Sequence, residues 1–296
     1  MVAAAELPYD GAGNGYRLVS ADFAIASSVS VVIPVRNEAA NLPHVFETIP
    51  DWISEVVLVD GRSTDDTVTV AEGLWPGIKI VTQSGKGKGD ALIAGFVACS
   101  SDIIVAMDGD GSTDGREIIH FVSALVAGAD FVKGSRFSSG GASDDITFGR
   151  RWGNGLLKAL VNWMFGTQYS DLCYGYNAFW SRHLRALALD CPGFEVEALM
   201  GIRAAKAHLR IHEVPSHERC RLHGSSNLRA IRDGWRILKM ILREKFGAGR
   251  RAVTGKLEAL PAHFLEPAAV DLGIASTTSQ HETAGLRPLE LVEASC

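Results

Sequence analysis

Four short β-branched runs constrain this chain more than any other feature: residues 29–35 (VSVVIPV), 55–60 (EVVLVD), 78–81 (IKIV) and 102–107 (DIIVAM). Continuous apolarity at strand length indicates strands covered on both faces, as in a parallel sheet. Segments of helical spacing lie between and after them, at about 39–49, 64–73, 87–99 and 114–127. Strand followed by helix, repeated, implies βαβ units with right-handed crossovers. A fifth strand is expected at 130–133 and strand-like runs at 176–180 and 209–214, with helices near 151–165, 195–207 and 226–246. The fold class is therefore α/β, Rossmann-like, a mostly parallel sheet with helices on both faces.

The chain has 296 residues, and both ends lack a sustained apolar period. Residues 1–27 and 247–296 read as tails around one domain at 28–246. A net charge of −5 gives no global attraction to nucleic acid. Five widely spaced cysteines without a CxxC suggest neither a disulfide framework nor zinc. No apolar stretch approaches the ~18 residues of a membrane span, and no basic region precedes an apolar core at the start, so a cytoplasmic, unanchored protein is expected.

In open parallel sheets, ligands bind beyond the carboxyl ends of the strands. The fourth strand runs into Asp108-Gly109-Asp110-Gly111-Ser112-Thr113-Asp114. An extended continuation points Asp108, Asp110 and the Ser112 hydroxyl to one side, hard oxygen ligands suited to Mg²⁺ or Mn²⁺. A plain polar turn is the competing reading. An EF-hand loop fails, because its sixth position is Thr113 and its twelfth Ile119. Asp114, with Glu117 three residues on, reads as a capping box for the next helix. Gly85-Lys86-Gly87-Lys88-Gly89 resembles a phosphate cradle before a helix, without Walker or GxGxxG spacing.

The order of these motifs resembles glycosyltransferase family 2, with the GT-A fold: 32–38 (VIPVRNE), 59–67 (VDGRSTDDT), 87–92 (GKGDAL), Asp108-Gly109-Asp110 and Gly134-Ser135-Arg136. Farther on, 171–179 (DLCYGYNAF), 193–197 (GFEVE) and 221–227 (RLHGSSN) are similar to the dolichyl or polyprenyl phosphate mannosyltransferase branch. The chain departs from that branch at Tyr176, where Arg or a related residue is usual, and at Ser226-Asn227 in place of Ser-Lys. The resemblance implies that Pro34, Asn37 and Glu38 hold the nucleoside and Asp60 faces the base or ribose. It places Lys88 and Gly89 near the nucleotide, and Asp108 and Asp110 on the donor diphosphate through Mg²⁺ or Mn²⁺. Gly109 would let the backbone approach that diphosphate.

The expected reaction is metal-dependent, inverting transfer of a hexose, mannose or glucose, from a GDP- or UDP-sugar to a polyprenyl phosphate. Such an acceptor already carries an ionised oxygen, its second pKa being about 6, and needs guanidinium groups rather than a base. Arg136, Arg150, Arg151, Arg219 and Arg221 are the candidates, with Ser226 beside them; Arg136 is the first choice because it follows the fifth strand. A hydroxyl acceptor would instead need Glu195, Glu197 or Asp171 as general base. A family member using such an acceptor, or a non-catalytic nucleotide-sugar-binding protein, is the alternative. In the last helix Leu228, Ile231, Trp235, Leu238 and Leu242 form an apolar line, followed one residue on by Arg229, Arg232, Arg236, Lys239 and Arg243. That pattern fits either an anionic membrane surface or a core helix with a basic edge.

Overall fold

The computed structural model describes residues 27–224 and 228–247. The two expected tails therefore lie almost wholly outside the described residues, as does Ser226. Among the described residues nine strands form in chain order: β1 Val29–Val35, β2 Glu55–Asp60, β3 Lys79–Thr82, β4 Ile103–Ala106, β5 Phe131–Ser135, β6 Ala142–Ser143, β7 Asn177–Trp180, β8 Ile211–Pro215 and β9 His217–Glu218. The helices are α1 Leu42–Thr48, α2 Thr67–Leu74, α3 Lys88–Ala98, α4 Ile118–Val126, α5 Phe148–Phe165, α6 Leu184–Leu187, α7 Glu195–Lys206 and α8 Ala230–Phe246.

Seven strands make one sheet in the order β3-β2-β1-β4-β7-β5-β8. All neighbours are parallel except that β7 runs antiparallel between β4 and β5. The period of two in each strand divides the core. Val31, Ile33, Leu58 and Val105 face α1 and α4, whereas Val32, Val59, Ile104 and Ala106 face α3 and the α7–α8 side. Because β7 is antiparallel, its first residues meet the carboxyl ends of β4 and β5. The loops after β1, β2, β3, β4 and β5 thus share one edge with the turn entering β7.

Tyr176, at the departure from the mannosyltransferase pattern, is wholly buried. Its ring stacks on Phe121 with centroids 4.4 Å apart, and its hydroxyl donates to the Asp114 carbonyl. This position faces the core. Asp114 caps as expected, its carboxylate accepting from the Arg116 amide. The reciprocal half of the capping box does not form, because Glu117 accepts from Ser216 and the His217 amide instead.

The two reading options for the last helix separate along its circumference. Asp233, Ile237, Met240 and Ile241 turn inward, while Ile231, Trp235, Leu242 and Phe246 stay exposed, Ile231 at 82%. Helix α5 starts at Phe148 rather than 151, because the Thr147 hydroxyl accepts from the Arg150 amide. It carries a matching outward stripe, Phe148, Trp152, Leu156 and Trp163, spanning about 80° at 100° per residue. The C-terminal ends of α5 and α8 meet where Lys245 donates to the Met164 carbonyl. Among the described residues no helix is long and apolar enough to cross a membrane.

Candidate active site

The strand ends enclose a cleft of about 640 Å³ lined by, among others, Pro34, Arg36, Glu38, Arg62, Lys88, Asp108, Asp110, Tyr174, Phe194, Glu197 and Arg221. Two ion-pair chains cross it. Lys88 Nζ stands 2.5 Å from Asp108 Oδ1 and 2.6 Å from Glu197 Oε1. Arg221 reaches Asp110 at 3.1 Å through Nη2 and Glu38 at 2.9 Å through Nη1. Burial pushes the Asp108 carboxyl up to about 6, with Asp110 and Glu197 adding to the rise and Lys88 opposing it. Burial disfavours the Lys88 charge, yet Asp108 and Glu197 hold its pKa above the ordinary lysine value. Burial also raises Glu38, against hydrogen bonds from Asn41 and Arg221.

Gly175 closes this arrangement. A Cβ built on it would lie 2.7 Å from Lys88 Nζ and 2.9 Å from Glu197 Oε1, so a side chain there would displace the pair. The turn is held from below by Lys133, which is fully buried and donates to the Tyr174 carbonyl and Asn177 Oδ1. Sequence analysis placed Lys133 in the fifth strand and gave it no role; its direction into the core depends on the tertiary pairing of β5 with β7.

Four carboxylates, Glu38, Asp108, Asp110 and Glu197, cluster with Lys88 and Arg221, and Arg36, Arg62 and Lys86 also line the cleft. Asp108 and Asp110 are the two carboxylates a divalent cation would use. No group of three or more His, Cys, Asp or Glu among the described residues is placed to hold a metal. The diphosphate would therefore supply the remaining oxygens, as is usual for Mg²⁺. Ser112 lines the cleft, and its hydroxyl and amide both donate to Asp110 Oδ1, at 2.6 and 3.0 Å, and so orient that carboxylate.

Several other expected residues are held by partners of their own, some of them at the cleft and some away from it. Arg136 is locked between Asp171, through Nε at 2.7 Å, and Glu218, through Nη1 at 3.1 Å, with its side chain 2% exposed. It braces the cleft wall, and its donors are already used. Asp171 is consumed in the same pair, which removes it as a base. Arg219 pairs with Asp114, and Arg151 lies over the Phe137 ring, so neither lines the cleft. Arg150 does line it, paired with Asp145 at 2.8 Å.

Glu195 accepts from Arg236 outside the cleft, while Glu197 enters it; residues two apart on a helix point ~200° apart, so only one can. Asp60 folds back onto the Ser63 amide, and Asn37 Oδ1 accepts from the Thr64 amide, tying two loops together rather than lining the cleft. Two amides in the first turn of α3, those of Gly89 and Asp90, donate to the Pro192 carbonyl, while Gly85, Lys86, Gly87 and Lys88 line the cleft. A Cβ on Gly109 would strike Val35 at 2.5 Å: packing on β1 demands this glycine.

The model of the family described as glycosyl transferase family 2 matches residues 30–188. The chain belongs to this family. Glycosyltransferase AglJ of Haloferax volcanii is 31% identical over 212 residues, 70% of this chain and 68% of that one. Undecaprenyl-phosphate mannosyltransferase of Micrococcus luteus is 32% identical over 202 residues, 63% of this chain and 82% of that one. The chain spans about half to two thirds of the length of several other curated relatives. Glucosyl-3-phosphoglycerate synthase of Mycobacterium tuberculosis, solved with Mn²⁺, UDP and glucosyl-3-phosphoglycerate, superposes with a TM-score of 0.59 at 24% identity. That superposition covers 74% of this chain and 80% of that one, and it shows that the fold is GT-A.

Proposed function

We propose that this glycosyltransferase moves a hexose, mannose or glucose, from a GDP- or UDP-sugar to the phosphate of a polyprenyl phosphate, by a single inverting displacement. One observation carries the choice of acceptor. Every carboxylate lining the cleft is in an ion pair: Glu38 and Asp110 with Arg221, Asp108 and Glu197 with Lys88, Asp145 with Arg150, and Glu218 with Arg136. A general base for a hydroxyl acceptor would have to be drawn out of one of these pairs, and Asp108, whose carboxyl burial raises to about 6, would be held by the donor's cation. The Cys173 thiol, pushed up to about 12 by burial, is no substitute. A nucleophile that arrives ionised suits this cleft, and a phosphate monoester does so near neutral pH.

One phosphate oxygen would bond to the anomeric carbon as the bond from that carbon to the donor diphosphate breaks. The nucleoside diphosphate leaves with the electron pair, and no proton moves. A divalent cation held by Asp108 and Asp110 would supply Lewis-acid stabilisation of the leaving diphosphate. Lys88 adds a fixed positive charge beside Asp108, and Arg221 holds Asp110 and Glu38 in register. The curated mannosyltransferase relatives support this acceptor class; the phosphoglycerate synthase shows that the fold also serves a small phosphorylated acceptor.

The outward stripes of α5 and α8 suit a membrane surface, with Trp152, Trp163, Trp235 and Phe246 as apolar anchors and Arg232, Lys239 and Arg243 as the basic flank. The protein would then work as a peripheral enzyme on the cytoplasmic face. The test is transfer to a short prenyl phosphate with and without Mn²⁺ or Mg²⁺, using wild type, Asp108→Ala and Asp110→Ala. Metal-dependent transfer lost in both variants supports the reading; transfer retained without metal removes the cation's role.

A further inference from the structure

A second cavity, of about 250 Å³, adjoins the main cleft and shares Gly87, Lys88 and Phe194 with it. Its other walls are Gly193 and the first turns of α8, which bring in Arg229, Arg232, Asp233 and Arg236. Four cations thus meet a single lining carboxylate. That carboxylate is committed: Asp233 accepts from the Arg229 amide at 2.8 Å and lies 3.9 Å from Arg236 Nη1. Arg236 also donates to Glu195 at 3.1 Å. The guanidinium groups of Arg229 and Arg232 make no ion pair among the described residues. Two exposed guanidinium groups without an ion-pair partner among the described residues, at the positive end of a 17-residue helix and around a cavity large enough for a phosphate, are suited to an anion.

The surroundings specify what kind of anion. Ile231 and Trp235, each one residue from an arginine of this cavity, open the exposed apolar line of α8. A charged pocket at the head of an apolar track matches an amphiphile with one anionic end. Gly87, Lys88 and Phe194 line both this pocket and the cleft, and Lys88 Nζ itself lies 2.5 Å from Asp108 Oδ1. We propose that this second cavity is the subsite for the phosphate monoester of the acceptor, gripped by Arg229 and Arg232, with the hydrocarbon chain running along Ile231 and Trp235. This rests on the lipid-phosphate reading above, and it assigns the phosphate to α8 rather than to the arginines at the strand ends.

The test is calorimetric titration of the full chain with citronellyl phosphate, citronellol, inorganic phosphate and phosphatidylglycerol vesicles, for wild type, Arg229→Ala/Arg232→Ala and Arg229→Lys/Arg232→Lys. Both side chains are on the surface, and a thermal melt together with Mn²⁺-dependent binding of whichever of UDP and GDP the wild type takes checks that the fold and donor site persist. The expected result is at least tenfold weaker citronellyl phosphate binding in the alanine variant, partial recovery in the lysine variant, unchanged nucleotide binding, and no binding of citronellol.

Equal citronellyl phosphate binding by wild type and the alanine variant would overturn the subsite while leaving the lipid-phosphate acceptor in place. Inorganic phosphate binding that depends on the two arginines, with citronellyl phosphate not bound, would keep the anion site and remove the lipid acceptor. A loss confined to vesicles would assign the arginines to headgroups of the bilayer and overturn the subsite. Failure of the wild type to bind either phosphate would likewise overturn it.

Discussion

Lys88 Nζ lies 2.5 Å from Asp108 Oδ1, so a lysine from the start of α3 neutralises the first acid after β4. Glu197 shares the same ammonium at 2.6 Å. Replacing Lys88 by Met leaves Asp108, Asp110 and Glu197 with one fewer cation among them. The expected outcome is a fall in kcat of at least about 100-fold, in the range of a lost electrostatic contact to developing charge, with the fold retained. Steady-state rates with saturating donor check it; a change in KM alone would place Lys88 in ground-state binding.

Gly175→Ala should imitate that loss sterically. Its Cβ would lie 2.7 Å from Lys88 Nζ and 2.9 Å from Glu197 Oε1, so one of them must move. Activity should drop with little change in Tm, since the clash is with side-chain ends; an active variant would mean that the Lys88–Glu197 pair has no part in catalysis.

Arg136→Ala should act on stability. It strands the fully buried Asp171 and the Glu218 carboxylate, and breaking a buried pair costs about 3–5 kcal/mol. Chemical denaturation measures this, and a variant as stable as wild type would refute the bracing role. Arg136→Lys should recover little, because one ammonium cannot reproduce the two-nitrogen contact to Asp171.

Acid stability should depend on Glu244. Burial opposes its charge, but Arg203 and Lys206 overcome that and depress the carboxyl from 4.5 to about 2. A pKa lowered on folding gives stability that is complete above the unfolded value and is lost as pH falls through the folded one. Tm should therefore drop from about pH 4.5 toward pH 2, and Glu244→Gln should flatten that part of the profile. An identical profile in the variant would assign the acid loss to other carboxylates, such as Asp130, which Arg210 holds at about 2.

Much of the fold was legible because it rests on periodicity. The buried strands alternate between two cores, and their β-branched runs mark them within a residue or two. The insertion of β7 between β4 and β5 was not legible, since strand order is decided by tertiary pairing. The site divided in the same way. Asp108 and Asp110 line the cleft, and their place just past a strand end was readable from the apolar run before them. Where Arg136, Asp60 and Asn37 point was not legible, because their partners, Asp171, Ser63 and Thr64, decide it, and two of those contacts join separate loops. Glu195 and Glu197 could not be told apart until the phase of α7 was known.

The most direct measurement of the central claim is a donor panel, GDP-mannose, GDP-glucose, UDP-glucose and UDP-mannose, offered to citronellyl phosphate and to citronellol with Mn²⁺ or Mg²⁺, with products identified by mass spectrometry. A cleft whose carboxylates are all ion-paired predicts a glycosyl phosphate from citronellyl phosphate with one of these donors and no product from the alcohol. Efficient transfer to citronellol, with none to its phosphate, would contradict the account.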